Sequence, residues 1–172
     1  MVRNTDDMPM DFRWSVGEFQ MSRKYDVATV LENGTQSTID SWYNRVESES
    51  DLAAIPLSRA DRCAHLPDMF RDLVGRLRNP LPLGTRALTS AAAHHHGCLR
   101  RDQGYTPAMI VEESRMLQVS IFQTLQLHVE DTEPGVLLLY VMVIADEVDS
   151  QLAQAMSSYV TEADHDAKPI EA

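Results

Sequence analysis

From Tyr25 onward, the inward-type positions of this chain recur every three or four residues. Val27, Leu31, Thr35, Thr38, Trp42 and Val46 share one stripe and predict a helix. Gly34 sits inside that stripe, where it breaks or kinks the helix, and Ser48 to Pro56 reads as a turn region. Ser58 can cap a short turn, with Asp61 three residues on as a weak capping box. Pro67 then restarts a helix whose apolar stripe is Leu66, Phe70, Leu73, Val74 and Leu77.

Asn79-Pro80-Leu81-Pro82-Leu83-Gly84 cannot continue a helix, because two prolines and a glycine interrupt its hydrogen bonding. The pattern resumes from about Thr85 to Asp102 and stops at Gly104. Thr106-Pro107 supplies an N-cap and a first-turn proline for a further helix to about Glu130. After a break at Asp131 to Gly135, the last helix should cover roughly Val136 to Tyr159. Its inward stripe reads Leu137, Val141, Ile144/Ala145, Val148, Leu152, Ala155 and Tyr159. No strand pattern, repeat or nucleotide-binding glycine motif interrupts this. The expected fold is all-α, an antiparallel helical bundle of about five helices. Residues 1–24 carry no sustained period and read as a loose N-terminal arm, residues 25–160 as one domain, and residues 161–172 as a disordered acidic tail.

Composition narrows the partners. Aromatic residues make up 6% of the chain while Met, Ala and Leu are plentiful, which favours helix-on-helix packing over a β-sandwich. A formal charge of −11 repels phosphate backbones and anionic lipids, so no nucleic acid and no membrane are expected as partners. The apolar run Val136 to Ala145 is about half the ~20 residues of a membrane span. The first twenty residues have no secretory core segment, so the expected location is cytoplasmic.

Candidate chemistry concentrates between Ala91 and Leu117. His96 and Arg100 lie four apart on one helix face. Gly97 costs about 1 kcal/mol against Ala in a helix and so marks the close approach of a neighbouring helix. Gly104-Tyr105 turns the chain back, which should make the His96/Arg100 helix and the Glu113 helix antiparallel neighbours. Glu113 shares its stripe with Met109, Ile110, Met116, Leu117 and Ser120, and Asp149 sits between Ala145, Val148 and Leu152. Two inward carboxylates require a cation, because an uncompensated buried charge costs several kcal/mol. Arg100 is the nearest candidate. The expectation is a partly buried polar cluster of His96, Arg100, Glu113 and Asp149. Such a cluster either fixes helix register alone or also senses a signal.

Other chemistry finds less support. No catalytic residues, cofactor site or metal site are expected. Glu112 and Glu113 have Arg115 and Met116 where a di-iron bundle needs His. The consecutive His94, His95 and His96 point about 100° apart and cannot converge on one ion. His65 and Asp68 are separated by Pro67. Cys63 and Cys98 read as packing residues. Spacing alone leaves one alternative open, a haem- or metal-binding sensor using His96 or His128 as ligand.

Several of these segments together resemble a known family. They are Trp42, the LPDMF helix start (Leu66 to Phe70), HGCLRRDQGY (His96 to Tyr105), Glu113 eight residues after Tyr105, Leu117, and DSQLAQAMSSY (Asp149 to Tyr159). In that order they resemble the N-terminal domain of RsbT co-antagonist proteins of the RsbRD type, over roughly residues 27–160. The resemblance implies a bacterial sensory or regulatory helical domain in signal transduction or stress response. Such domains precede a histidine kinase, a STAS domain, a PAS-containing regulator or a helix-turn-helix output. The family's motif cluster falls on His96, Arg100, Tyr105 and Glu113. Protein partners in a signalling pathway are implied, with a homodimer and a small-molecule signal admitted, although no heptad demands dimerisation. The chain ends soon after Tyr159, so the expectation is either a domain of a longer protein, such as a histidine kinase, or a stand-alone member.

Overall fold

The computed structural model describes residues 26–85, 87–128 and 134–166. Among these, every regular element is a helix: α1 Val27–Asn33, α2 Thr35–Glu47, α3 Ser50–Ala53, α4 Arg59–Cys63, α5 Leu66–Arg78, α6 Ala91–Asp102, α7 Pro107–Gln126 and α8 Pro134–Asp166. The all-α class is as expected, but the described residues hold eight helical segments where about five were anticipated. Gly34 divides the first helix into α1 and α2, and the turn region after Ser48 contains the single turn α3. The residues expected to form the N-terminal arm lie outside the described part.

Helix ends follow local chemistry. The Asp26 carboxylate accepts the N–H groups of Ala28 and Thr29 at 3.2 Å and starts α1. Ser58 accepts the Asp61 N–H at 3.1 Å and starts α4. α6 begins at Ala91, six residues later than the periodicity suggests, because Ser90 takes the cap. Its hydroxyl accepts the Ala93 N–H and donates to Asp72, while its own N–H reaches Gln154. α8 continues to Asp166, so residues 161–166 are helical where a disordered tail was expected. Once packing has nucleated a helix, each added residue costs little. Residues 167–172 lie outside the described part.

Two helix pairs run in opposite senses. Gly34, the N-cap of α2, and Thr38 meet Thr124 near the end of α7, and Trp42 reaches Glu113 nearer its start. Met69 and Arg76 of α5 meet Gln151 and Asp146 of α8 in reverse order. The core between them takes Leu31, Trp42, Phe70, Ile121 and Ile144, each at most 2% exposed. Among the described residues, no helix is long and apolar enough to cross a membrane.

α6 departs from expectation in its neighbour, packing chiefly on α8 and not on α7. Gly97 explains the choice. A Cβ there would lie 1.9 Å from the Ala155 carbonyl oxygen and 2.2 Å from Ser158 Oγ. The missing side chain lets the two backbones touch, and Ser158 then donates to the His94 carbonyl at 2.8 Å. Substituting Gly97→Ala should therefore lower stability by at least the ~1–3 kcal/mol of an overpacked contact. Urea denaturation followed by circular dichroism measures this; an unchanged midpoint would refute the close approach.

Candidate functional site

α6 ends in a left-handed glycine. Gly104 has φ +83, and the Tyr105 N–H closes back on the Arg100 carbonyl at 2.9 Å while the Gly104 N–H bonds Arg101. This turn lays the Tyr105 ring against the Arg100 guanidinium, 4.7 Å from Cζ to ring centroid. The Thr106 hydroxyl then caps α7, accepting from Met109, and the helix carries Glu113 inward to 2% exposure.

Both Glu113 oxygens are occupied. Arg100 Nε donates to Oε2 at 2.8 Å, and the Tyr105 hydroxyl donates to Oε1 at 2.8 Å. Tyr105 can donate there because its oxygen accepts from Arg62 Nη1 at 2.6 Å. The remaining guanidinium arms are also held: Arg100 by Gln103 Oε1 and the Arg62 carbonyl, Arg62 by the Ile55 carbonyl. Arg62 Nε lies 3.3 Å from a Glu47 oxygen, close enough for an ion pair but not aimed for a hydrogen bond. Trp42 Nε1 donates to the Glu113 carbonyl at 3.0 Å, so the network joins α2, α4, α6 and α7.

Burial raises the Glu113 carboxyl above its usual range, against the opposing pull of Arg100 and the Tyr105 hydrogen bond. The ionised form is the one this geometry selects, since both oxygens accept and two guanidinium groups lie nearby. Burial, and then the Glu113 charge, raise the Tyr105 phenol, which keeps the proton it donates.

His65 and His96 stack face to face beside the pair, ring centroids 3.9 Å apart at 27°. His96 Nε2 is 3.8 Å from Glu113 Oε2, too far for a hydrogen bond. Burial pushes His96 down to about 3, helped by the Arg100 charge; burial and the neighbouring His96 push His65 well below its ordinary value. Both are neutral near pH 7. They help line a cavity of about 20 Å³ with Trp42, Glu113, Gln151 and Ala155. That is room for about one water, which needs ~10–15 Å³, and small-molecule sites enclose ~300–1,000 Å³.

His96, Arg100, Tyr105 and Glu113 thus come together, with the cation on the residue expected. Asp149 does not join them, because it is exposed on α8. The buried face of α8 is Val143, Ile144, Glu147, Val148, Gln151, Ala155 and Ser158, so the inward acid is Glu147. Glu147 accepts from Gln151 at 2.9 Å, and burial raises its carboxyl. The segment before Asp146 is apolar on every side, so periodicity leaves its rotation open; Glu147 and Asp149 lie about 160° apart around the axis, so that only one of them can face inward.

The sequence pattern does not place Arg62 or His65 in this cluster; Arg62 stands four before buried Leu66, the one spacing signal for it. His94 and His95 are exposed, as is His128, whose Nδ1 lies 2.9 Å from the Thr124 carbonyl. Among the described residues, no group of three or more His, Cys, Asp and Glu side chains converges as metal ligands would. No protein-family model matches the chain, and no curated protein or solved structure matches it either.

Two outcomes follow. Replacing Arg100 with Met strands the Glu113 charge and should cost about 3–5 kcal/mol. Tyr105→Phe should cost about 1–3 kcal/mol, because one buried acceptor loses its donor. Chemical denaturation ranks the two, and losses below ~0.5 kcal/mol, the usual effect of a surface change, would show the network to be idle. The histidines give one pH-dependent contribution, opposite in sign to that of the raised Glu113 and Glu147 carboxyls. The folded histidine values lie below the unfolded value of about 6.5, so the unfolded chain binds protons first as pH falls. Their contribution is complete above about pH 6.5 and is lost progressively toward about pH 3 for His96. Stability measured across that window should fall with acid, and His96→Gln should flatten the slope. A parallel slope in the variant would remove His96 from this role.

Proposed function

We propose that this chain is a non-catalytic sensory or regulatory domain of bacterial signal transduction, controlling or attached to a histidine kinase or a stress-response output. The observation that carries the reading is the closed state of Glu113. Each of its two oxygens accepts from a protein donor, Arg100 or Tyr105, and the adjoining cavity has room for about one water, too little to bring a larger molecule against the acid. The network spans four helices and lies against a fifth, and helix shifts of ~1–2 Å suffice to switch packed interfaces. A shift of that size would break its hydrogen bonds. The resemblance of the His96–Tyr105 segment and Glu113 to RsbRD-type domains supports the same reading, with protein partners inside the cell as receivers. A haem on His96 gains no support from a water-sized cavity, nor one on His128 from an open helix end.

The test uses a host strain carrying Tyr105→Phe at the chromosomal locus, with the protein level matched to wild type. The expected outcome is a shifted set of transcripts or phosphorylated proteins with the fold retained by circular dichroism. An unchanged regulatory profile together with the loss of one chemical conversion would replace this reading with an enzymatic one.

A further inference from the structure

We infer that the apolar side chains of residues 8–21 pack on the exposed face of α8 formed by Leu138, Leu139 and Met142, strapping the N-terminal arm to its own domain. Three observations independent of the regulatory reading meet here. The first is the face itself. Leu138, Leu139 and Met142 are 60%, 41% and 45% exposed. They belong to a stretch, Pro134 to Ala145, without a single charged residue in a chain of formal charge −11. Clustered exposed apolar residues of this kind mark a contact surface.

The second is where the arm enters. Arg78 binds Glu32 of α1 at 2.6 Å, and Arg76, two residues earlier on α5, reaches Asp146 of α8 at 3.3 Å. α1 and the first half of α8 therefore flank the same end of α5. The Asp26 carboxylate acts on Tyr140 of α8, whose phenol is raised first by burial and then by that charge. From Asp26 back to Phe19 is seven residues, a reach of up to roughly 23–25 Å. The exposed face from Leu138 to Met142 is only about 6 Å long.

The third is the arm's content. Met8, Met10, Phe12, Trp14, Val16, Phe19 and Met21 are large apolar side chains in a segment that also carries both signs of charge. Burying such side chains is worth roughly 1.5–3 kcal/mol each when complete. A second copy is the competing occupant, but it would bring two chains of −11 face to face, which their mutual repulsion opposes.

The 172-residue chain labelled with 5-fluorotryptophan gives two fluorine resonances, from Trp14 and Trp42. The expected result is a Trp14 resonance shielded from solvent in the wild type, which moves to the solvent-exposed position in Leu138→Asp/Met142→Asp while Trp42 stays. Both proteins should sediment as monomers. In the reciprocal variant, Phe12→Asp/Phe19→Asp, peroxide should oxidise Met142 several-fold faster. A Trp14 resonance fully exposed in the wild type, or an unchanged Met142 oxidation rate, would overturn the strap. So would a dimer that the α8 variant dissolves, which would assign the face to a second copy.

Discussion

A carboxylate at 2% exposure is the constraint around which this molecule is arranged. Glu113 cannot sit on the buried face of α7 as a lone charge, so three other segments are bent to its needs. The glycine turn at Gly104 folds Tyr105 back, α6 delivers Arg100, and the short α4 delivers Arg62 to orient the tyrosine hydroxyl. Each of these parts would be poor structure alone. α4 has five residues, far below the ~12–15 at which an isolated helix is even marginal. It persists because its arginine is wanted inside.

The rest of the packing follows from placing α6 where Arg100 can reach. α6 leans on α8 through Gly97, and α8 in turn lies on α5 and α7. α8 thus spans the back of the polar cluster, with the stacked His65 and His96 between them. Neutral imidazoles suit that place. They fill it as flat, weakly polar groups, whereas a protonated ring would set a third cation beside Arg62 and Arg100 with one buried carboxylate to share.

The sequence makes much of this legible, in a particular way. Glu113 stands out because it interrupts an otherwise apolar stripe, and Arg100 follows as the nearest cation on a face shared with His96. Gly97 reads correctly because glycine in a helix interior needs a reason. The remaining features are hidden for separate physical reasons. Asp149 and Glu147 cannot be told apart by periodicity, because the first half of their helix is apolar all round and the 3.6-residue period loses its phase there. Arg62 stayed hidden because an arginine on a short helix looks like solvent-facing charge until its partners are known. The placement of α6 on α8 instead of α7 is a long-range choice made by Ala155 and Ser158, which local periodicity does not encode.

If Glu113 and Arg100 are one unit, they should behave as one under mutation. The direct measurement is a double-mutant cycle with Arg100→Met, Glu113→Leu and the pair combined, each unfolded in urea near pH 7. The double variant should be far less damaged than the two single losses added together, with a coupling of about 2 kcal/mol or more, because removing both partners leaves no stranded charge. Strict additivity of the two losses would mean that the pair is incidental and that the fold is organised around something else.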